Sequence, residues 1–316
     1  MKITFLDAST LGEDIDLSPV GELGELCIFP GTSEEEVLKN ANDSDVLILN
    51  KVKINEKTLP DPGKVKLICI TATGFDNVDL DFCRKNNIAV CNVVGYSTDS
   101  VAQITVATVL YLASHLNEFN AYVRSGEYTD SGIANRLVPV YRELSGQTWG
   151  IVGCGNIGTK VGQVAEALGC RVVVNKRTPH AFFETVDLDT LCRESDIITI
   201  HSPLNDATRG LIGAEKIALM KDGVILVNEA RGAVTDEAAV TEAVKSGKIG
   251  AFGTDVYSVE PFGREHPFTE IMNMDNVCLT PHMAWGAYES RKRCLDEVIM
   301  NIKSFVEGNT RNRIDL

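Results

Sequence analysis

Short apolar runs alternate with amphipathic stretches along the first hundred residues, a pattern typical of strands separated by helices. The runs at 3–6, 26–29, 46–49, 67–70 and 89–91 predict buried strands. Ser33 followed by Glu36 reads as a capping box that opens a helix toward Asn40, and 79–86 predicts another helix. This alternation predicts a parallel sheet with helices on both faces.

The second half repeats the alternation after a long helical pattern. Residues 98–124 predict one helix, and the segment after it is a loop of more than about twenty residues, a length that suggests an interface or a lid. Further strands are predicted at 148–152, 171–175, 197–200, 223–227, 249–253 and 277–279, followed by a last helix at 288–307. The economical interpretation is two doubly wound α/β units joined by a long helix.

Composition narrows the possible functions. A chain of 316 residues suggests about two domains, and a net charge of −14 disfavours binding to nucleic acid or to anionic membranes. No apolar stretch approaches the roughly 18 residues of a membrane span, and the N-terminus reads as a strand rather than a signal peptide. The nine cysteines lack disulfide or zinc spacing, so we expect reduced thiols, no metal and a cytoplasmic protein.

A glycine-rich turn follows the first strand of the second series. Gly153, Gly155 and Gly158 form a GxGxxG pattern between a predicted strand and a predicted helix. In that context Gly153 allows the tight turn, Gly155 lets the backbone approach a pyrophosphate, and Gly158 lets the helix pack on the strand. The pattern predicts dinucleotide binding, although a glycine turn without a ligand has the same sequence.

The next strand ends without the acidic residue that would bind the ribose of NAD. Asn175 is followed by Lys176 and Arg177, a pair that would attract a 2′-phosphate. We therefore expect NADP to be preferred over NAD. The alternative is that both cations simply lie in a solvated loop.

Three polar segments each follow a predicted strand, where open α/β sheets build their sites. They contain Arg231, then Asp255 with Glu260, and then His282. A guanidinium can hold a carboxylate, an imidazole can donate a proton near neutral pH, and a carboxylate can orient the imidazole. Each residue alone has an ordinary structural interpretation, but the set after a dinucleotide turn predicts reduction of a 2-keto acid.

At this point the sequence resembles the D-isomer-specific 2-hydroxyacid dehydrogenases over essentially the whole chain. The matching segments are GCGNIG at 153–158, HSPL at 201–204 with Thr208, NEARGAV at 228–234 with Asp236 and Glu237, DVYSVEP at 255–261 and TPHMAW at 280–285. The resemblance implies that Arg231 binds substrate and acts in catalysis, that His282 is the acid/base, and that Glu260 is its partner. It also implies that Asp255 contacts the nicotinamide carboxamide, and that the backbone at Thr73 and Gly74 holds the substrate carboxylate.

The expected cofactor contacts and domain bounds follow from the motifs and the resemblance together. The cofactor contacts are Gly153, Gly155, Asn156, Ile157, Gly158, Asn175, Lys176, Arg177, Ser202, Pro203, Thr208, Ala230 and Asp255. The family fold implies a flavodoxin-like substrate domain from 1–99 and 288–316, a Rossmann cofactor domain at 100–287, and a cleft between them. Residues 98–145 would include the arm of a homodimer.

The substrate is the least readable feature. Several segments look like the branch that contains glycerate dehydrogenase and hydroxypyruvate reductase, and a bulky Trp285 would favour small acids such as hydroxypyruvate or glyoxylate. Trp285 reads equally as a core or dimer-contact residue, and Lys51 reads as a second cation near the substrate or as a solvated lysine. The alternatives are a reductase of larger branched or aromatic 2-keto acids and a cofactor-sensing scaffold like the transcriptional corepressors of this fold.

Overall fold

Eleven of the twelve strands form at apolar runs of the sequence, and every strand pairing is parallel. The structure is a computed structural model that describes residues 1–316. The strands are β1 (Lys2–Phe5), β2 (Glu25–Ile28), β3 (Val46–Leu49), β4 (Leu67–Ile70), β5 (Ala89–Cys91), β6 (Thr148–Val152), β7 (Arg171–Asn175), β8 (Glu184–Thr185), β9 (Ile197–Ile200), β10 (Val224–Asn228), β11 (Ile249–Thr254) and β12 (Val277–Leu279).

Helices connect the strands, as parallel pairing requires. They are α1 (Ser18–Gly21), α2 (Val37–Asn40), α3 (Leu80–Lys85), α4 (Thr98–Ala113), α5 (Leu116–Arg124), α6 (Glu127–Ser131), α7 (Asn156–Ala167), α8 (Leu188–Glu194), α9 (Ala214–Leu219), α10 (Glu237–Lys245) and α11 (Tyr288–Val306). Short 3₁₀ turns occur at Ala8–Thr10, Gly232–Val234 and Pro267–Glu270. No helix is both long enough and apolar enough to span a bilayer.

The chain divides into two units, and the first contains residues 1–97 and 286–316. Its five strands lie in the order β2-β1-β3-β4-β5, which is the flavodoxin-like order. The central strands β3 and β4 are buried along their whole length, so their continuous apolar sequences pack against helices on both faces. Helix α11 packs on β4 and buries Cys294, Leu295 and Val298.

The second unit contains residues 98–285. Its seven strands lie in the order β12-β11-β10-β9-β6-β7-β8, the Rossmann order with one extra strand at one edge. The strand order reverses between β9 and β6, and ligands of open parallel sheets bind at the carboxyl ends beside such a reversal. The expected fold class, two doubly wound parallel sheets of Rossmann and flavodoxin-like type, is confirmed.

The long helix predicted over 98–124 is wrong in one respect, because two helices occupy this range. Helix α4 ends at Ala113, and His115 adopts a left-handed backbone with φ of 50° before α5 begins at Leu116. The His115 Nδ1 lies 2.7 Å from a carboxylate oxygen of Glu118, which secures the side chain at this turn. The loop predicted after it contains one further short helix, α6.

Candidate active site

The three glycines of the GxGxxG turn have different surroundings. Gly153 has φ of 86°, and a Cβ there would lie 2.4 Å from the Ser202 hydroxyl. A Cβ at Gly158 would lie 2.9 Å from the Gly153 carbonyl oxygen, because helix α7 packs closely on the turn. A Cβ at Gly155 would meet nothing within 4 Å. The turn therefore needs glycine sterically at Gly153 and Gly158, and is open to a ligand at Gly155.

Helix α7 starts at this open side without a side-chain cap. Gly155 is its N-cap, and no side chain accepts from the first N–H groups, which include those of Asn156 and Ile157. Unpaired N–H groups and the positive end of the helix dipole suit a pyrophosphate. Asn175 stands beside the turn: its carbonyl accepts from the Gly153 N–H at 3.0 Å, and its amide donates to the Val186 carbonyl.

The loop after β7 presents two free cations. Lys176 and Arg177 are exposed and make no hydrogen bond or ion pair with the rest of the chain. His180 holds this loop to α7, because its Nε2 lies 3.0 Å from the hydroxyl of Thr159 while its Nδ1 accepts from the Phe182 N–H. The anchoring role of His180 was not predicted from the sequence, which offers no motif for it.

The HSPL segment closes against the glycine turn at the carboxyl end of β9. Ser202 is buried against Gly153, as the steric limit at that glycine requires. The Thr208 hydroxyl donates to the Pro203 carbonyl at 2.6 Å and accepts from the Asn205 N–H at 2.8 Å. Thr208 and Pro203 thus form one compact turn, and their contact with cofactor stays a prediction.

Arg231 lies on the loop that follows β10. The Asn228 amide donates to the Arg231 carbonyl, and the guanidinium donates to the Ala230 carbonyl at 2.7 Å. The next residue must be glycine, because a Cβ on Gly232 would lie 2.0 Å from the carbonyl carbon of Tyr257. The Arg231 loop therefore packs directly on the loop that follows β11.

Glu260 and His282 form a hydrogen-bonded pair. The His282 Nδ1 lies 2.6 Å from one carboxylate oxygen of Glu260, and the other oxygen accepts from the Tyr257 N–H at 3.1 Å. Each side chain is about one quarter exposed, at 26% and 28%. The His282 Nε2 makes no hydrogen bond to the protein, so the pair leaves one nitrogen available for proton transfer.

Asp255 supports the loop that carries His282. Its carboxylate accepts from the Thr280 hydroxyl at 2.6 Å, from the Met283 N–H at 2.8 Å and from the Ala284 N–H at 2.8 Å. The residue is 2% exposed. The contacts of Asp255 in this structure are therefore with the His282 loop, while its expected contact with the nicotinamide carboxamide stays a prediction.

Two further ionisable residues near these loops are buried and were not singled out from the sequence. Glu229 follows β10, both of its carboxylate oxygens lack partners, and burial raises the pKa of this carboxyl well above its usual value. His201 follows β9, neither ring nitrogen has a partner, and burial lowers the pKa of the imidazole to about 3. The His201 imidazole is therefore neutral near pH 7.

The residues predicted to bind the substrate from the N-terminal half lie in the first unit, at the carboxyl ends of β3 and β4. The Lys51 N–H donates to the buried carboxylate of Asp7, and the Thr73 hydroxyl donates to the Val93 carbonyl. Gly74 follows in the same loop and is partly exposed. Trp285 is half-buried and ends the second unit.

One edge of the second sheet thus gathers most of the predicted site. The strands β12, β11, β10, β9, β6 and β7 are successive neighbours. Their carboxyl ends carry, in that order, His282, Glu260, Arg231, the HSPL segment, the glycine turn and the Lys176 loop. The arrangement can bind a dinucleotide at one end and move a proton at the other.

Known proteins share these features. A family model described as "D-isomer specific 2-hydroxyacid dehydrogenase, NAD binding domain" matches residues 106–284. A hydroxypyruvate reductase of Blautia hydrogenotrophica is 33% identical over 324 residues, covering 100% of both chains. A glycerate dehydrogenase of Methylorubrum extorquens is 32% identical over 316 residues, covering 99% of both.

Solved structures agree in fold. An acyclic imino acid reductase in complex with NADPH and D-Arg is 27% identical, with a TM-score of 0.86 over 99% of this chain and 100% of that one. A D-lactate dehydrogenase of Aquifex aeolicus, complexed with NAD and lactic acid, is 28% identical, with a TM-score of 0.85 over 100% and 99%. The motif residues, the sheet topology and these matches lead to one conclusion: this chain belongs to the family of D-isomer-specific 2-hydroxyacid dehydrogenases.

Proposed function

We propose that this protein reduces a small 2-keto acid, hydroxypyruvate or glyoxylate, to the corresponding 2-hydroxy acid with a nicotinamide cofactor. The observation that carries the proposal is the Glu260–His282 pair, which leaves the His282 Nε2 without a hydrogen bond to the protein, while the Arg231 loop packs on the turn that carries Glu260. The names of relatives that match the whole chain, hydroxypyruvate reductase and glycerate dehydrogenase, support this substrate class.

The roles of the side chains follow from their chemistry. The Arg231 guanidinium binds the substrate carboxylate and polarises the ketone. A reduced nicotinamide cofactor, when bound, would supply the hydride that carbon 2 takes up. His282 donates the Nε2 proton to the carbonyl oxygen, becomes neutral, and is then reprotonated from solvent. Glu260 stabilises the protonated imidazole through Nδ1 and fixes the ring, so the ketone gains one hydride and one proton in each turnover.

NADP is the cofactor that the charge pattern favours. Lys176 and Arg177 are free to bind a 2′-phosphate, and no acid stands at the end of β7 to repel it. The open side of Gly155 and the uncapped start of α7 suit the pyrophosphate. Asn156, Ile157 and Ala230 would contribute backbone contacts to the same cofactor.

The two units would divide the work. Residues 1–99 and 288–316 would bind substrate through the Thr73–Gly74 backbone and Lys51. Residues 100–287 would bind cofactor, and Trp285 in this range would be a further substrate contact. The exposed apolar side chains between 133 and 141 support the proposal that this segment is the arm of a homodimer.

The test is a cofactor-oxidation assay on the wild-type protein and on His282→Ala and Arg231→Ala. We expect hydroxypyruvate and glyoxylate to give higher kcat/KM than pyruvate, 2-ketoisocaproate or phenylpyruvate, and NADPH to exceed NADH. His282→Ala should lower kcat by about 10²–10⁴-fold with cofactor affinity nearly intact. Arg231→Ala should raise KM and lower kcat together.

Three results would contradict parts of the proposal. Faster turnover of phenylpyruvate or 2-ketoisocaproate would assign a larger substrate. Tight cofactor binding without turnover of any acid would favour a sensing scaffold. A kcat/KM for NADH about tenfold or more above that for NADPH would remove the role of Lys176 and Arg177.

A further inference from the structure

A second histidine–carboxylate pair lies behind the turn that carries Glu260. The His266 Nε2 lies 3.0 Å from a carboxylate oxygen of Glu237, and their side chains are only 7% and 10% exposed. Glu237 is the first residue of α10, and His266 precedes the 3₁₀ turn at Pro267–Glu270. The mechanism proposed above uses neither residue.

The hydrogen bonds indicate which atoms of this pair donate and which accept. The His266 Nδ1 accepts from the Phe268 N–H, so the ring proton lies on Nε2 and is donated to Glu237. Glu237 also accepts from the N–H of Ser258 at 2.8 Å and from the Ser258 hydroxyl. Three donors converge on one side chain, which suits an ionised carboxylate because it only accepts.

Ser258 links this cluster to the catalytic pair. The Tyr257 N–H, one residue earlier, donates to the carboxylate oxygen of Glu260 that does not bind His282. On its other side the turn meets Gly232, where a Cβ would lie 2.2 Å from the Ser258 nitrogen. Glu237 and Gly232 therefore fix the backbone from which Glu260 reaches His282.

The rest of the turn is exposed. Val259 is 65% exposed, and Glu260 and Pro261 lie on the surface. The Tyr257 hydroxyl donates to the Thr280 carbonyl, which connects the turn to the His282 loop. Titratable groups near the turn include Glu237, His266, Glu260, His282, Tyr257, Glu229, Cys278 and, through Thr280, Asp255.

We propose that Glu237 is a positioning residue that holds the 257–260 turn through Ser258 and so sets the geometry of the Glu260–His282 pair. His266 in turn fixes the Glu237 carboxylate. The inference rests on the proposed function, because it assigns Glu237 an effect on the proton donor of that reaction. Glu237 itself touches neither substrate nor cofactor in this scheme.

The experiment compares five proteins: wild type, Glu237→Gln, Ser258→Ala, Glu260→Gln and the control Glu242→Gln. Glu242 lies on the same helix, but its exposed carboxylate pairs only with Lys245. The first readout is the pKa of the His282 imidazole in the cofactor-free protein, measured by NMR among five histidines. The second is kcat, KM and the pH profile of hydroxypyruvate reduction.

A glutamine at 237 would place an amide N–H₂ against the donors of His266 and Ser258, so one of them must turn away. We expect Glu237→Gln to lower the His282 pKa by up to about one unit and kcat by about tenfold, with the KM for cofactor unchanged. Ser258→Ala keeps the N–H donor and should give a smaller change in the same direction. Glu242→Gln should match wild type.

The possible outcomes distinguish failure of the positioning role of Glu237 from failure of the proposed catalytic pair. If Glu260→Gln lowers the His282 pKa and shifts the profile while Glu237→Gln and Ser258→Ala do not, the catalytic pair stands and the positioning role is wrong. A fall in Tm without a change in the His282 pKa would also overturn it, leaving Glu237 merely structural. If Glu260→Gln changes neither readout, the proposed catalytic pair itself fails. Should Glu237→Gln not fold, Ser258→Ala decides.

Discussion

Individual residues at the carboxyl edge of the second sheet differ sharply in how far the sequence reveals them. Arg231, Glu260 and His282 were predicted because each follows a strand and matches a motif. The burial of Glu229 was not predicted. Glu229 lies in the same motif as Arg231, directly after β10, and nothing in the neighbouring sequence indicates that its carboxylate lacks partners. Burial depends on how the loops pack, and a linear motif does not encode that.

Glu229 gives a pH-dependent prediction. Burial raises its folded pKa well above 4.5, so its ionisation opposes folding, and stability is lost as pH rises above that unfolded value toward the folded one. Glu229→Gln removes this titration. The free energy of unfolding of Glu229→Gln minus that of wild type should therefore increase with pH, by up to about 1.4 kcal/mol per pH unit.

The measurement is urea unfolding of both proteins at pH 5, 6, 7 and 8. Taking the difference at each pH removes the titration of every other group that the substitution leaves unchanged. A difference that stays constant over this range would show that Glu229 is not held protonated.

At the scale of elements, the strands were predicted to within about one residue because buried parallel strands read as continuous apolar runs. The break between α4 and α5 was missed, since apolar residues continue across it and only His115 leaves the helical backbone. Strand β8 was also missed, because its two residues are too few to show an alternation of apolar and polar positions. Local conformations of this kind depend on single side-chain contacts.

The loop between β12 and α11 depends on Asp255, so Asp255→Asn should weaken it. Asparagine offers one acceptor oxygen for three donors, and each unsatisfied buried donor costs about 1–3 kcal/mol. We expect the free energy of unfolding to fall by about 2 kcal/mol or more, and kcat to fall with it. Asp222→Asn is the matched control, because Asp222 is exposed and pairs only with Lys248. Wild-type stability in Asp255→Asn would contradict the supporting role.

For the whole molecule, the sequence predicted two parallel sheets, and both form. The roles of the two units in binding substrate and cofactor stay predictions. So does the arm, whose apolar side chains are exposed in a chain of net charge −14. Leu137 is 74% exposed and Val140 76% exposed, and a cluster of exposed apolar side chains is typical of an interaction surface.

We therefore expect Leu137→Asp combined with Val140→Asp to abolish dimer formation, because burying two carboxylates in an apolar interface is unfavourable. Sedimentation velocity should give a dimer for wild type and a 34.4 kDa monomer for the variant. The paired control is Val306→Asp, an equally exposed apolar residue at the end of α11. A monomeric wild type, or a variant that stays dimeric, would rule out the arm as the interface.

The backbone of His282 has φ of 53°, a conformation that glycine adopts freely and other residues avoid. The proposed proton donor thus occupies a position where its own side chain opposes folding by about 1 kcal/mol. Replacing it with glycine or with alanine removes the imidazole equally, yet only glycine relieves the backbone, so His282→Gly should melt above His282→Ala. A higher Tm for the inactive His282→Gly variant than for His282→Ala would show that the imidazole at this position does not serve the stability of the fold.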